Sequence, residues 1–321
     1  MTQPQLPAEA LEQLKSTFLG HIMTPDQAGY EDARHVYNGM IDKHPALIAR
    51  CHSAADIADA LALARDRGLE VAVRGGGHNV AGRATTNGGL MIDLSAMKAI
   101  HVDPQARIAR AQGGANWAEF NRATQVYGLA TTGGVISSTG IAGLTLGGGH
   151  GWIMGKYGLA VDNLLAVEIT TADGRTLRAS ADEHADLFWG VRGGGGNFGV
   201  VSWFEYQLHE LSEVTGGMLA YPADQAGDVL RFYRDLTASS PDELTIHAGL
   251  LYTPDATPIV AVLVCHCGSS DQAASDLAKL KSYGSPVADT LGPMSYCALN
   301  AMLDDGFPHG ARNYWKSSFL K

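Results

Sequence analysis

The chain has 321 residues, 45% of them hydrophobic, with 39 glycines and a formal net charge of −10. That apolar fraction excludes intrinsic disorder, and the length fits two domains. The acidic balance leaves no basic face for nucleic acid, weakens attraction to anionic membranes, and accompanies no apolar run near the ~20 residues of a bilayer span.

Met1-Thr2-Gln3-Pro4 shows no basic stretch leading into an apolar one, so the expectation is a cytoplasmic protein. In chain order, a helix is expected over 8–18. Ser53 and Asp56 form an N-cap pattern ahead of Ile57, Leu61 and Ala64, one apolar helical face that Gly68 closes. A strand over 69–73 follows. Asn116 with Glu119 caps a further helix that ends by Gly128. Asp173-Gly174 separates 165–171 from 175–177 as a hairpin, and 200–208 reads as a strand. Beyond 211–216, strands over 217–221, 244–252 and 258–264 mix with helices over 223–236 and 271–281. Without regular βαβ alternation, the class is α+β. No finishing element shows over 314–321.

Cys51, Cys265, Cys267 and Cys297 have no paired spacing. Cys265-His266-Cys267 ends a β-branched run, so buried packing is the better reading there and no metal is expected.

Glycine makes up about 12% of the chain, against the ~7% of ordinary domains. Eighteen of the glycines fall between Gly128 and Gly199, among Trp152, Tyr157, Trp189 and Phe198. A flexible tether would lack those aromatics. The excess therefore belongs to folded backbone that passes close to something large. Residues 75–77 follow a strand but lead into a loop, and Gly194 to Gly199 leads into a strand, so neither is a Rossmann turn. No G-x-x-x-x-G-K-[ST] occurs. Successive glycine amides can instead form an anion nest without lysine, and the three clusters 75–77, 147–149 and 193–196 would reach an extended dinucleotide from several sides. Tight turns between strands account for them equally well. His78, set among small neighbours, is approachable enough to serve as nucleophile, ligand or base, or is an ordinary histidine.

Arg74-Gly75-Gly76-Gly77-His78-Asn79 with Gly89-Leu90-Met91-Ile92-Asp93-Leu94-Ser95 resembles the flavin-linking segment of the vanillyl-alcohol-oxidase superfamily. Gly147-Gly148-Gly149-His150-Gly151-Trp152, the run from Lys156 to Leu164, and the run from Asp186 to Val201 resemble its berberine-bridge-enzyme branch. The likeness keeps order and spacing from about His44 to Leu211. It implies a PCMH-type FAD-binding domain of two α+β lobes over 43–212, after a helical segment over 1–42. An incomplete antiparallel-sheet-and-helix substrate domain would occupy 213–321. By position, His78 would bond covalently to the flavin. Arg74, Gly75, Gly76, Gly77 and Asn79 would cradle the pyrophosphate, and Gly134, Val135, Ser138, Thr139, Gly140 and Gly143 would line the flavin. Gly199, Val200 and Val201 would reach the adenine side. Asp93 would hold a loop rather than touch ribose, and Tyr157 would be structural.

Two departures carry information. Many relatives link FAD a second time through a cysteine where this chain has Ile136, so a single link through His78 is expected. His150 stands where the family often has tyrosine, and would act as base or substrate partner, or pack. Family members also continue past the point matching Trp315, usually with the catalytic base there. An unfinished sheet would leave an open edge that favours a homodimer. The implied function is an FAD-dependent oxidase that takes hydride from an alcohol or sugar carbon first, a cyclic amine second, and is reoxidised by O2, with Thr139 leaving room for O2. The alternative is a truncated, non-catalytic FAD-binding protein.

Overall fold

Ser53 and Asp56 exchange hydrogen bonds as a capping box, each backbone N–H donating to the other's side chain at 3.2 Å. The helix they open ends at Gly68, whose φ of 61° lets the chain turn without a Cβ penalty. In the computed structural model, which describes residues 6–318, this helix organises the first of three sheets of four or more strands; Leu129–Ala130 and His209–Glu210 form a small fourth pair. The leader-type reading of Met1 to Pro4 and the tail beyond Ser318 lie outside the described residues.

The first lobe holds α1 (Ala8–Thr17), β1 (His21–Met23), α2 (Tyr30–Arg34), β2 (Leu47–Arg50), α3 (Ala54–Arg67), β3 (Val71–Arg74) and β4 (Leu90–Asp93). Its sheet runs β1-β2-β4-β3, with β2, β4 and β3 mutually parallel. This lobe therefore contains one parallel crossover, within a chain that as expected shows no regular βαβ alternation. Ile57, Ala60 and Leu61 of α3 pack on Leu47, Leu90 and Ile92.

The second lobe holds β5 (Ile100–Asp103), β6 (Ile108–Gln112), α4 (Trp117–Gln125), β7 (Leu129–Ala130), α5 (Ile141–Leu146), α6 (Met154–Tyr157), β8 (Leu164–Thr170), β9 (Thr176–Ser180), α7 (Ala185–Gly194), β10 (Val200–Gln207) and β11 (His209–Glu210). Its antiparallel sheet runs β5-β6-β10-β8-β9, and Asp173-Gly174 forms the expected hairpin between β8 and β9. Trp117, Phe120, Phe204 and Tyr206 fill its core, where the Tyr206 hydroxyl meets Thr145 Oγ1 at 2.8 Å. Gly193 and Gly194 belong to the end of α7 rather than to a free loop.

The third sheet is built from β12 (Glu213–Pro222), β13 (Leu244–Tyr252), β14 (Pro258–His266), β15 (Ala288–Asp289) and β16 (Gly292–Ser295). Helices α8 (Ala226–Thr237), α9 (Ser270–Asp276) and α10 (Ala278–Lys281) cover one face, and α11 (Tyr296–Ala301) lies on the other. The helix expected over 271–281 is thus two short ones. Strand β14 is apolar along its length because both faces are covered. Val260, Val262 and Val264 meet the helices, while Leu263 and Cys265 meet Trp152, Tyr296 and Leu299. His266 is fully buried, with Nε2 2.9 Å from Asp276 Oδ2 and Nδ1 accepting the Gly268 N–H. Among the described residues no group of three metal-ligating side chains occurs.

The two lobes meet backbone to backbone. A methyl group on Gly76 would lie 2.5 Å from the Gly140 Cα, and one on Gly75 would lie 2.7 Å from the Gly113 carbonyl oxygen. Gly143 is the opposite case, with open space around its position on α5. We expect Gly76→Ala to destabilise the fold by about 1–3 kcal/mol through overpacking. Gly143→Ala should stabilise it by roughly 0.5–1 kcal/mol through helix propensity. Denaturant unfolding of both variants checks the contrast, and equal effects would contradict the seam.

Candidate cofactor site

A cavity of ≈ 880 Å³ opens beside that seam, within the size range of sites for small ligands and cofactors. Arg74, Gly75, Gly76 and Gly77 form one wall, and Ser95, Lys98, Gly114, Asn116 and Ser138 continue it. Residues 34–39, with His309 and Gly310, form the other. Of the three glycine clusters, only 75–77 lines this space. Gly149 packs against Ala160 and Leu144 instead, and 193–196 spans the end of α7 and the start of a short 3-10 helix.

Two buried arginine contacts set the geometry of the loop. Asp93, fully buried at the end of β4, receives Arg50 Nε at 2.8 Å and lies 3.3 Å from Arg74 Nε. It also accepts the Ser95 N–H and hydroxyl, both at 3.0 Å. Asp93 therefore holds a loop, in keeping with the expectation. Arg74 Nη1 further donates to the carbonyls of Ala33 and His35. Its guanidinium is engaged in tying β3 to the end of α2, so it lines the cavity already paired. Lys98 is likewise bonded to Glu119 at 2.7 Å, and Arg34 is held between Glu31 and Asp42.

What the loop offers an anion is backbone. Among the described residues, the N–H groups of Gly75, Gly76 and Gly77 donate no hydrogen bond, and Gly77 sits at φ 68°. Unpaired amides in a loop of mixed hand suit phosphate oxygens. These residues fit the pyrophosphate of a dinucleotide in a chain whose net charge is negative.

His78 follows on the same loop. Its Nε2 lies 3.1 Å from Ser138 Oγ, and its ring stacks on Tyr37 with centroids 3.8 Å apart. Burial pushes its pKa down to about 4, helped by the nearby His309 and opposed by Asp304. The imidazole is therefore neutral at pH 7.

The other expected residues divide. Asn79 is exposed and accepts the Arg83 N–H in a turn. Gly134 gives its carbonyl to Asn300, and half-buried Val135 gives its carbonyl to the Trp152 indole at 3.2 Å. The Thr139 carbonyl accepts the Trp117 N–H, and Gly140 forms the seam. Gly143 is exposed on α5. Gly199 packs on the Thr170 carbonyl, and Val200 and Val201 are buried at the start of β10. None of these nine expected residues, Asn79 to Val201, lines the cavity, although the Val201 carbonyl touches Gly113 behind Gly75. Ile136 is buried at 6% exposure. Tyr157 stacks on His209 at 4.0 Å, a packing role.

His150 is exposed between α5 and α6, away from the cavity. Its neighbour His247 on β13 packs edge-on against Trp152 at 5.2 Å. The His247 pKa is lowered by burial first and then by His150, and its buried Nε2 has no partner among the described residues. The sequence also gave no notice of Tyr37, Asp304 and His309. They lie far from residue 78 along the chain, in segments with no pattern of their own.

The comparisons follow the same geometry. The FAD binding domain family matches residues 45–180. The (R)-6-hydroxynicotine oxidase of Paenarthrobacter nicotinovorans is 37% identical over 302 residues, 92% of this chain and 66% of its own length. An FAD-linked oxidoreductase of Dictyostelium discoideum is 29% identical over 86% of this chain and 60% of its own. The chain thus spans about two thirds or less of the length of these relatives. The crystal structure of 6-hydroxy-D-nicotine oxidase from Arthrobacter nicotinovorans superposes with a TM-score of 0.87 at 35% identity, covering 92% of this chain and 66% of that one. A berberine-bridge-enzyme-like protein of Physcomitrella patens shares the fold, with a TM-score of 0.83 at 21% identity over 93% of this chain and 65% of its own. No helix among the described residues is long and apolar enough to cross a membrane. With its α+β lobes and glycine loop, the chain belongs over residues 45–180 to the FAD binding domain family, and it shares the fold of the 6-hydroxynicotine oxidase and the berberine-bridge-enzyme-like protein.

Proposed function

We propose that this chain is the FAD-binding part, with a portion of the substrate-binding part, of an FAD-dependent oxidase acting on an amine or alcohol carbon. In this reading 43–212 is the FAD-binding unit and 213–321 the substrate side. The observation that carries it is the neutral His78 imidazole beside a cavity whose glycine wall presents unpaired amides. Bound FAD would supply the hydride acceptor and the route to O2, chemistry that side chains lack. Gly75, Gly76 and Gly77 would hold the pyrophosphate, Ser138 would steer the His78 ring, and His78 would carry the single covalent link. Ile136, with no nucleophilic atom, would make no second one.

His150 would accept the substrate proton, with His247 beside it held neutral by burial. An amine substrate is favoured over a sugar, because the 37% relative is named for 6-hydroxynicotine and a carbohydrate oxidase of Microdochium nivale is 26% identical. The third sheet agrees, since on the face that carries α11 Met218, Ala220, Ile259 and Ala261 form an apolar cluster. No disulfide joins the four cysteines, among the described residues, in keeping with a reducing compartment such as the cytoplasm.

Acid precipitation tests the link. Flavin fluorescence should stay in the protein pellet, and His78→Ala should release it to the supernatant with the fold intact. Attachment needs the neutral imidazole, whose fraction halves only as pH falls to about 4. The linkage rate should therefore stay flat from about pH 8 to about pH 6, where an ordinary histidine near 6.5 would already have lost well over half its neutral form. A midpoint near 6.5 would contradict the buried-ring reading.

For the proton acceptor, His150→Asn should lower kcat by about 10²-fold or more while FAD stays bound. Hydrogen peroxide release from a panel of cyclic amines and sugars measures it. Unchanged turnover removes His150 from the mechanism.

A further inference from the structure

His78 is surrounded by groups from three separated parts of the chain, two of them outside the FAD-binding match at 45–180. Tyr37, fully buried, lies face to face with it, the ring planes 17° from parallel. His309 stands edge-on to both rings, 5.3 Å from Tyr37 and 5.9 Å from His78. A ladder of hydrogen bonds holds the two outer segments together. The Gly39 N–H donates to the Ala311 carbonyl and the Gly310 N–H to the Tyr37 carbonyl, each at 2.9 Å. Asn38 and Asn313 close it, Asn38 Nδ2 donating to the Asn313 carbonyl and Asn38 Oδ1 accepting the Asn313 N–H. The Tyr37 N–H then donates to the Gly77 carbonyl at 3.0 Å, which fastens the ladder to the loop itself. Two segments 275 residues apart thus converge on one imidazole.

We propose that Tyr37 and His309 are positioning residues that fix the plane of the His78 imidazole for bonding to the flavin. The inference rests on the reading of His78 as the attachment residue. The stack on Tyr37 stops the ring from turning about its Cβ–Cγ bond, His309 closes the edge, and Ser138 Oγ takes Nε2. In the linking reaction an N–C bond forms between the imidazole and the 8α carbon while one C–H and one N–H proton leave. The electron pair passes to the flavin and then to O2, which takes two protons and leaves as hydrogen peroxide. A ring held in one plane samples the bonding geometry far more often than a freely rotating one.

The test measures how fast acid-stable flavin accumulates on the full chain after FAD is added, together with FAD held non-covalently. Tyr37→Leu should still bind FAD but link it roughly 10²-fold more slowly, the size expected for reacting groups left out of place. Tyr37→Phe, which keeps the ring, should link at the wild-type rate, and His309→Ala should fall between them. Wild-type protein that never links flavin would sink the His78 assignment. Wild-type protein that links flavin, with Tyr37→Leu linking equally fast, would sink the positioning role alone. Should Tyr37→Leu fail to fold, His309→Ala decides, and wild-type linkage in that variant overturns the proposal.

Discussion

The contact on which the rest of the molecule depends is between two backbones. Gly76 and Gly140 approach so closely that neither position has room for a side-chain carbon. Their loops come from different sheets, one mostly parallel and the other antiparallel, that share no strand. Because the loops touch directly, the sheets close to a fixed distance and leave the cavity beside the seam. Much of the glycine excess has this origin. Gly75 faces the Gly113 carbonyl, Gly151 that of Gly133, and Gly199 that of Thr170, so main chain fills the space where side chains would stand.

Asp93 keeps one side of that seam in order. It is a fully buried carboxylate whose cost of burial is offset by two arginines and the Ser95 donors. Arg74 is drawn into this network and into the carbonyls at the end of α2, leaving backbone amides as the free donors at the loop. An acidic chain holds a place for an anion in this way without gathering lysines around it.

The segment over 133–140 is gripped from both sides. Trp117 and Ala118 of α4 donate to Thr139 and Ser137, while Asn300 of α11 and Asp304 reach across from the third sheet to Gly134 and Ser137. The third sheet is therefore coupled to the loop that bears Ser138, and through Ser138 to His78. The neutral state of that imidazole follows from the burial this convergence produces.

By itself the sequence determined the local pieces. Its caps placed the helices that begin after Ser53 and Asn116, Asp173-Gly174 placed a hairpin, and the strand-loop context of 75–77 ruled out a Rossmann turn. Those features act within a few residues, where side chain and backbone answer each other directly. The motif resemblance added the family, and with it His78 as a named position. Tertiary structure decided what no local pattern carries. It made β2, β3 and β4 parallel, engaged Arg74 elsewhere, and kept the second and third glycine clusters away from the cavity. It also carried Tyr37, Asp304 and His309 to the side of His78. The physical reason is that burial, ring stacking and backbone contact depend on which segments meet in space, and the meeting of residues 38 and 313 leaves no trace at either place along the chain.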